Sequence, residues 1–235
     1  MKKTNLSEVV AGADAVVFDL FHTLTSIESV TSWGRPTHEI LGVTREAWLE
    51  ELFENSRDRL IGRIRDPFEM ISMMARALNP EISQEAIQEA VDNRTRRFEN
   101  ALTRIPETSR GALTRLKASG KKLGLVSNAD TMEAAAWDRS PVAGLFDCAL
   151  FSCDVGYAKP EPEIYEMCLE KLAAVPSEAV FVGDGGSDEL KGARAVGMTT
   201  VMMTGVIGEL WPERIEPRLP DADFVIARLD ELVMK

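Results

Sequence analysis

Four short polar clusters, each directly after or between apolar runs, carry side chains suited to handling a phosphoryl group. Asp19 follows "VVF", Ser127 and Asn128 close "LGLVSN", Lys159 stands in "AKPEPEIY", and Asp184 is second in "GDGGSDE" with Asp188 and Glu189 behind it. A carboxylate such as Asp19 can attack phosphorus to give an aspartyl-phosphate, but one anion approaching another needs the charge between them neutralised. Magnesium would do this, because it prefers oxygen ligands and often takes one or two carboxylates plus a substrate phosphate; Asp19 with Asp184 or Asp188 supplies such a set. Lys159 adds a fixed positive charge, and Ser127 with nearby backbone N–H groups can donate to phosphoryl oxygens. Each residue also has a plain structural use: Ser127-Asn128 as turn formers, Asp188 and Glu189 in a helix's first turn, and Asp19 capping a turn beside Thr23.

These residues need a scaffold that brings the ends of several strands together. Apolar, β-branched runs recur at 14–20, 121–127, 147–152, 178–184, 199–203 and 223–227, and from 105 onward helical patterns separate most of them. Unbroken apolar strands alternating with amphipathic helices predict an α/β fold, a doubly wound parallel sheet covered on both faces. In such sheets ligands gather outside the carboxyl ends of the strands, where the four polar clusters fall. Residues 26–104 break the rhythm with three helical patterns, 44–64, 66–78 and 83–102, for which Thr44, Asp66 and Ser83 are the expected N-caps and Pro67 a first helical residue. The expected organisation is a Rossmann-like core formed by 1–25 and 105–235 and a smaller helical domain at 26–104. The methionines Met70, Met73 and Met74 recur at helical spacing and read as packing within that domain.

Composition narrows the partners. With 38 acidic and 27 basic side chains the formal net charge is -11, which opposes the counterion-release binding of nucleic acids. Cys148, Cys153 and Cys168 are odd in number and unclustered with histidine, as expected of reduced thiols in a cytoplasmic protein. No apolar run reaches membrane-spanning length. Trp33, Trp48 and Trp211 fit core, hinge or interface equally.

In series, "FDLFHT", "LVSN", "AKPEPEIY" and "VGDGGSDELKGA" resemble the four motifs of the haloacid dehalogenase-like hydrolase superfamily, in order and over nearly the whole chain. The resemblance implies a Rossmann-like core and a mobile helical cap after the first strand. It makes Asp19 the nucleophile, Ser127 a phosphoryl ligand, Lys159 the neutralising cation and Asp184 a metal ligand, with Asp188 or Glu189 holding a metal-bound water. Thr23 and Asn128 stand beside these, and Phe21 offers magnesium its backbone carbonyl. Phosphatases of this family usually carry a second aspartate where this chain has Phe21, as proton donor to the leaving alcohol. Its loss typically costs about 10²–10⁴ in rate. Alternation along an extended chain sets Phe21, not His22, beside Asp19, so His22 reads as a loop residue, with a chance that an early turn brings it round; His38 and Glu28 are further candidate donors. Arg35 is a candidate contact to a substrate carboxylate or phosphate. Two branches of the family dispense with the second aspartate. Phosphonoacetaldehyde hydrolases need a cap lysine, yet no lysine lies between Lys3 and Lys117. The 2-haloacid dehalogenases carry an aromatic there and attack carbon without metal, but they lack the Gly-Asp pair retained as Gly183-Asp184. The expected activity is therefore magnesium-dependent hydrolysis of a small phosphorylated metabolite, with a dehalogenase-like hydrolase and a catalytically weak phospho-ligand-binding protein as alternatives.

Overall fold

A computed structural model describes residues 5–28 and 35–233; Trp33 lies outside them. All six apolar runs are strands: β1 (Ala15–Phe18), β2 (Lys122–Ser127), β3 (Cys148–Phe151), β4 (Ala179–Gly183), β5 (Thr199–Met203) and β6 (Phe224–Ile226). They form one parallel sheet in the order β3-β2-β1-β4-β5-β6. That order reverses direction between β1 and β4, which places the topological switch point, the usual ligand crevice of open α/β sheets, at the ends of these two strands.

Alternation along the strands feeds two separate cores. Val16 and Phe18 of β1 join Leu123, Leu125, Val180 and Val182 on one face, packed with residues of α1 (Leu6–Gly12) and of the helix Glu107–Ala118. Ala15 and Val17 join Val126, Phe181 and Met202 on the other, against the helices Pro162–Leu172 and Glu189–Ala195. Because β1 is buried on both faces, its four residues AVVF are all apolar. Each fully buried side chain of this size stabilises the fold by about 1.5–3 kcal/mol.

Between β1 and β2 run α2 (Thr37–Leu41), α3 (Arg45–Glu54), α4 (Arg57–Leu60), α5 (Pro67–Leu78) and α6 (Gln84–Thr103); after them come α7 (Glu107–Ala118), α8 (Thr131–Ala134), α9 (Ser152–Val155), α10 (Pro162–Leu172) and α11 (Glu189–Ala195). The predicted caps form: Thr44 accepts from Ala47 N–H, Asp66 from Glu69 N–H with Pro67 at the first helical position, and Ser83 from Ala86 N–H. The pattern at 44–64 is not one helix. It breaks after Glu54, at Asn55 and Ser56, residues whose side chains compete for backbone hydrogen bonds. The methionine stripe is also narrower than expected, since Met70 and Met74 are buried but Met73 is 53% exposed. The inserted helices have their own core, built on Trp48, Met70, Ile71, Ile87 and Ala90 and joined by Met132 of α8. No helix among the described residues is long and apolar enough to cross a membrane.

Candidate active site

The chain leaves β1 one residue before Asp19 and turns at once. Asp19 N–H still donates to Val182 O at 2.9 Å, tying it to β4, but Leu24 and Thr25 N–H both return to Leu20 O and His22 N–H donates to Thr25 O. His22 sits at φ +65°, in the left-handed region. The extended alternation therefore stops at Phe18, and this corrects the placement of the two side chains. Phe21 packs edge-on against Phe98 of α6, with ring centres 5.2 Å apart. His22 instead swings toward the carboxylates, its Nδ1 3.9 Å from Asp184 Oδ2 and its Nε2 3.0 Å from Glu28 Oε2. Ser26 hydroxyl holds the same Glu28 oxygen at 2.5 Å. Burial pushes the imidazole pKa down, but the hydrogen bond and charge of Glu28, with Asp184 and Asp19 behind it, leave it raised overall.

Lys159 reaches the switch point from the loop before α10. Its buried Nζ donates to Asp19 Oδ1 at 2.6 Å and to Glu189 Oε2 at 2.5 Å. Desolvation works against the ammonium, yet the two carboxylates outweigh it and its pKa is raised; the charge is permanent at neutral pH. Glu189 is pushed well up instead, first by burial and then by Asp19, despite the opposing pull of Lys159. Each group is held from a second side. Thr23 Oγ1 donates to Asp19 Oδ2 at 2.9 Å, Asn128 clamps the Lys159 backbone through Nδ2 to its carbonyl and Oδ1 to its N–H, and Gly185 N–H donates to Glu189 Oε1 at 2.8 Å. Gly183 is glycine because a Cβ there would stand 2.2 Å from Glu189 Oε1.

Asp184 follows β4 in a loop of unusual backbone. Gly185 has φ +86°, and Ser187 and Asp188, neither of them glycine, have φ +52° and +53°, a conformation costing about 1–2 kcal/mol per residue. This turn directs Gly186 N–H onto Asp184 Oδ1 at 2.8 Å and returns Glu189 to the cluster. Of the two acids between which the sequence left a choice, buried Glu189 joins Asp19 and Asp184, with one oxygen from each within 4.8 Å of the others; Asp188 is exposed and outside that group. Arg35 is also elsewhere, exposed and paired with Glu89 at 2.5 Å. Ser127, the last residue of β2, is buried and its Oγ has no hydrogen-bond partner among the described residues, so a hydroxyl next to the switch point is free to donate to a ligand. Three carboxylates converging on one point suit a hard divalent cation.

Several residues escaped the sequence reading. Arg218 Nη1 donates to Asp184 O at 2.9 Å and Oδ2 at 3.1 Å, and Tyr165 OH to Glu189 O at 2.8 Å; nothing local marks Arg218. Immediately beyond Ser127-Asn128, Asp130 and Glu133 form a capping box at α8, a D-x-x-E signature visible in the sequence. They also meet two buried arginines from the inserted helices: Arg59 Nη1 is 3.0 Å from Asp130 Oδ2, and Arg94 bonds Glu133.

A family profile described as "Hydrolase: haloacid dehalogenase-like hydrolase" matches residues 13–197. Glyceraldehyde 3-phosphate phosphatase of Methanothermobacter thermautotrophicus is 28% identical over 138 residues, 57% of this chain and 60% of that protein, so the match spans under two thirds of that relative's length. Phosphoserine phosphatase of Thermus thermophilus is 26% identical over 201 residues, 80% of this chain and 77% of the relative. Among solved structures, one described as a dehalogenase superposes with a TM-score of 0.66 at 21% identity, covering 94% of this chain and 95% of the other.

Proposed function

The chain belongs to the haloacid dehalogenase-like hydrolase family, and on that premise we propose that it hydrolyses a small phosphorylated metabolite through an aspartyl-phosphate on Asp19. The observation that carries the reading is the bracketing of Asp19 at the switch point, with the Lys159 ammonium at 2.6 Å on one oxygen and the Thr23 hydroxyl at 2.9 Å on the other. These bonds aim the carboxylate while leaving a lone pair to attack phosphorus. The Asp19 O–P bond forms as the bond to the leaving oxygen breaks, and that oxygen takes a proton from His22 or water. Water then attacks phosphorus, releasing inorganic phosphate and restoring the carboxylate. Lys159 neutralises the approach of two anions, and the unpartnered Ser127 hydroxyl donates to a non-bridging phosphoryl oxygen. His22, steadied by Glu28, takes the part that Phe21 cannot play. Magnesium held by Asp19, Asp184 and Glu189, with Asp188 as the alternative acid and the Phe21 carbonyl as a further ligand, would supply the remaining positive charge. The helices between β1 and β2 act as the cap.

The fold match to a dehalogenase keeps a second reading in view, and one feature favours it: protein cations already meet Asp19 and Asp184, through Lys159 and Arg218. In that reading Asp19 attacks carbon and Phe21 needs no acid, since a halide leaves without a proton. Assays with p-nitrophenyl phosphate, acetyl phosphate and a 2-haloacid, each with and without magnesium, separate the two. Magnesium-dependent phosphate release that vanishes in Asp19→Asn supports the first; metal-independent halide release overturns it.

A further inference from the structure

A second protein cation enters the carboxylate cluster from a part of the chain that none of the four motif segments covers. Arg218 ends the short helix Ile215–Arg218, beyond β5. Its Nη1 donates both to Asp184 O at 2.9 Å and to Asp184 Oδ2 at 3.1 Å. The stem lies against the loop that follows β4, where a Cβ on Gly185 would stand 3.0 Å from Arg218 Cδ and 3.2 Å from its Cβ. The two side chains are 20% and 10% exposed, so water screens the pair only in part. Asp184 Oδ1 is taken by Gly186 N–H at 2.8 Å. Oδ2, which also faces His22 Nδ1 at 3.9 Å, carries the lone pairs that this carboxylate has left for a cation, and Arg218 already bonds it.

Asp19, Asp184 and Glu189 converge closely enough to hold a divalent cation, yet Lys159 bonds Asp19 and Glu189 while Arg218 bonds Asp184. These side chains offset the mutual repulsion of the acids, and a metal ion entering the cluster must outweigh them. Lys159 is buried and bracketed by two carboxylates. Arg218 is only partly buried, bonds Asp184 through a single nitrogen, and has exposed neighbours in Pro217 and Leu219; it is the cation that can yield. We propose that Arg218 is a built-in counter-ion of Asp184 that competes with magnesium and sets how tightly the metal binds. The orientation of Asp184 does not depend on it, since Gly186 N–H holds the other oxygen and Gly183 of β4 fixes the chain just before. What removal of Arg218 changes is charge: a lone pair of Oδ2 is freed and the repulsion between guanidinium and dication is relieved. This inference takes its metal site from the phosphatase reading, but magnesium binding is measurable without turnover.

The test titrates magnesium chloride alone into the full chain, stripped with chelator, by calorimetry. Arg218→Gln removes the charge, Arg218→Met removes it while keeping an apolar stem over Gly185, and Arg218→Lys keeps it. Arg63→Gln, which strips an exposed partner from Asp58, is the control. The magnesium Kd should fall about 10- to 100-fold in Arg218→Gln and Arg218→Met, the span of one hydrogen bond to a charged group, fall less in Arg218→Lys, and stay put in Arg63→Gln. Thermal melts should move in opposite directions. In chelator the two uncharged variants should melt below wild type, whereas their gain in Tm on adding magnesium should exceed that of wild type; a purely structural Arg218 would lower the first without raising the second. An unchanged or raised Kd in both uncharged variants, or no magnesium binding by any of the proteins, overturns the proposal. Magnesium-dependent phosphate release by wild type, with Kd unchanged in both uncharged variants, defeats this inference alone. A tightened Kd without phosphate release from any ester defeats the phosphatase reading alone.

Discussion

Replacing Lys159 by methionine, which is close to it in length, isolates what the ammonium does. In the native chain Nζ lies 2.6 Å from Asp19 Oδ1 and 2.5 Å from Glu189 Oε2, with all three side chains buried. Removing the cation leaves two carboxylates facing each other without compensation, and breaking a buried ion pair in this way costs about 3–5 kcal/mol. At about 2–4 °C of Tm per kcal/mol for a chain of this size, the variant should melt about 6–20 °C below wild type at pH 7 in chelator. The sign of the pH dependence follows from linkage. Glu189 already has a folded pKa well above its ordinary value, and loss of Lys159 raises it further, so the folded variant binds more protons than the unfolded chain above the unfolded pKa. The deficit thus grows with pH above the unfolded pKa and shrinks as pH falls toward that value. Lys117→Met, which removes the half-exposed partner of Asp147, is the control and should change stability by about 1 kcal/mol or less. Thermal melts by circular dichroism from pH 5 to 8 read all of this. A Lys159→Met protein within about 2 °C of wild type at pH 7, or a deficit that grows on acidification, would refute the buried triad.

Other consequences are simpler to state. Gly183→Ala puts a methyl 2.2 Å from Glu189 Oε1, and this overpacking should cost about 1–3 kcal/mol in urea unfolding, against no change if Glu189 lies elsewhere. Arg59→Ala strips a buried partner from Asp130 at the junction of α4 and α8; the expected loss is about 3–5 kcal/mol, and urea unfolding with the midpoint of wild type would contradict the network. His22→Gln should slow release from alkyl phosphates by up to about 10²–10⁴-fold while barely affecting p-nitrophenyl phosphate, whose leaving group needs no acid; equal effects on both would remove His22 from proton transfer.

Much of the fold was readable because parallel strands buried on both faces must be unbroken apolar runs, and the runs at 14–20 and 178–184 are β1 and β4 of the switch point. Caps were readable for the same local reason: Thr44, Asp66 and Ser83 need only their own next turn. The turn at His22 was not, since alternation holds only while the chain stays extended, and its left-handed φ depends on hydrogen bonds that sequence spacing does not display. The arginines Arg59, Arg94 and Arg218 were invisible for another reason. Their partners lie 71, 39 and 34 residues away, and no local pattern encodes a pairing made by tertiary packing. The choice between Asp188 and Glu189 turned on two left-handed residues in succession, again a property of the folded loop.

The central claim is that the carboxylate of Asp19 accepts the phosphoryl group. Rapid acid quench after mixing with acetyl phosphate and magnesium, followed by peptide mass spectrometry, addresses it directly. The account predicts a hydroxylamine-sensitive phosphoryl adduct on the peptide containing Asp19, absent from Asp19→Asn. An adduct on any other residue, or undiminished phosphate release by Asp19→Asn, would contradict it.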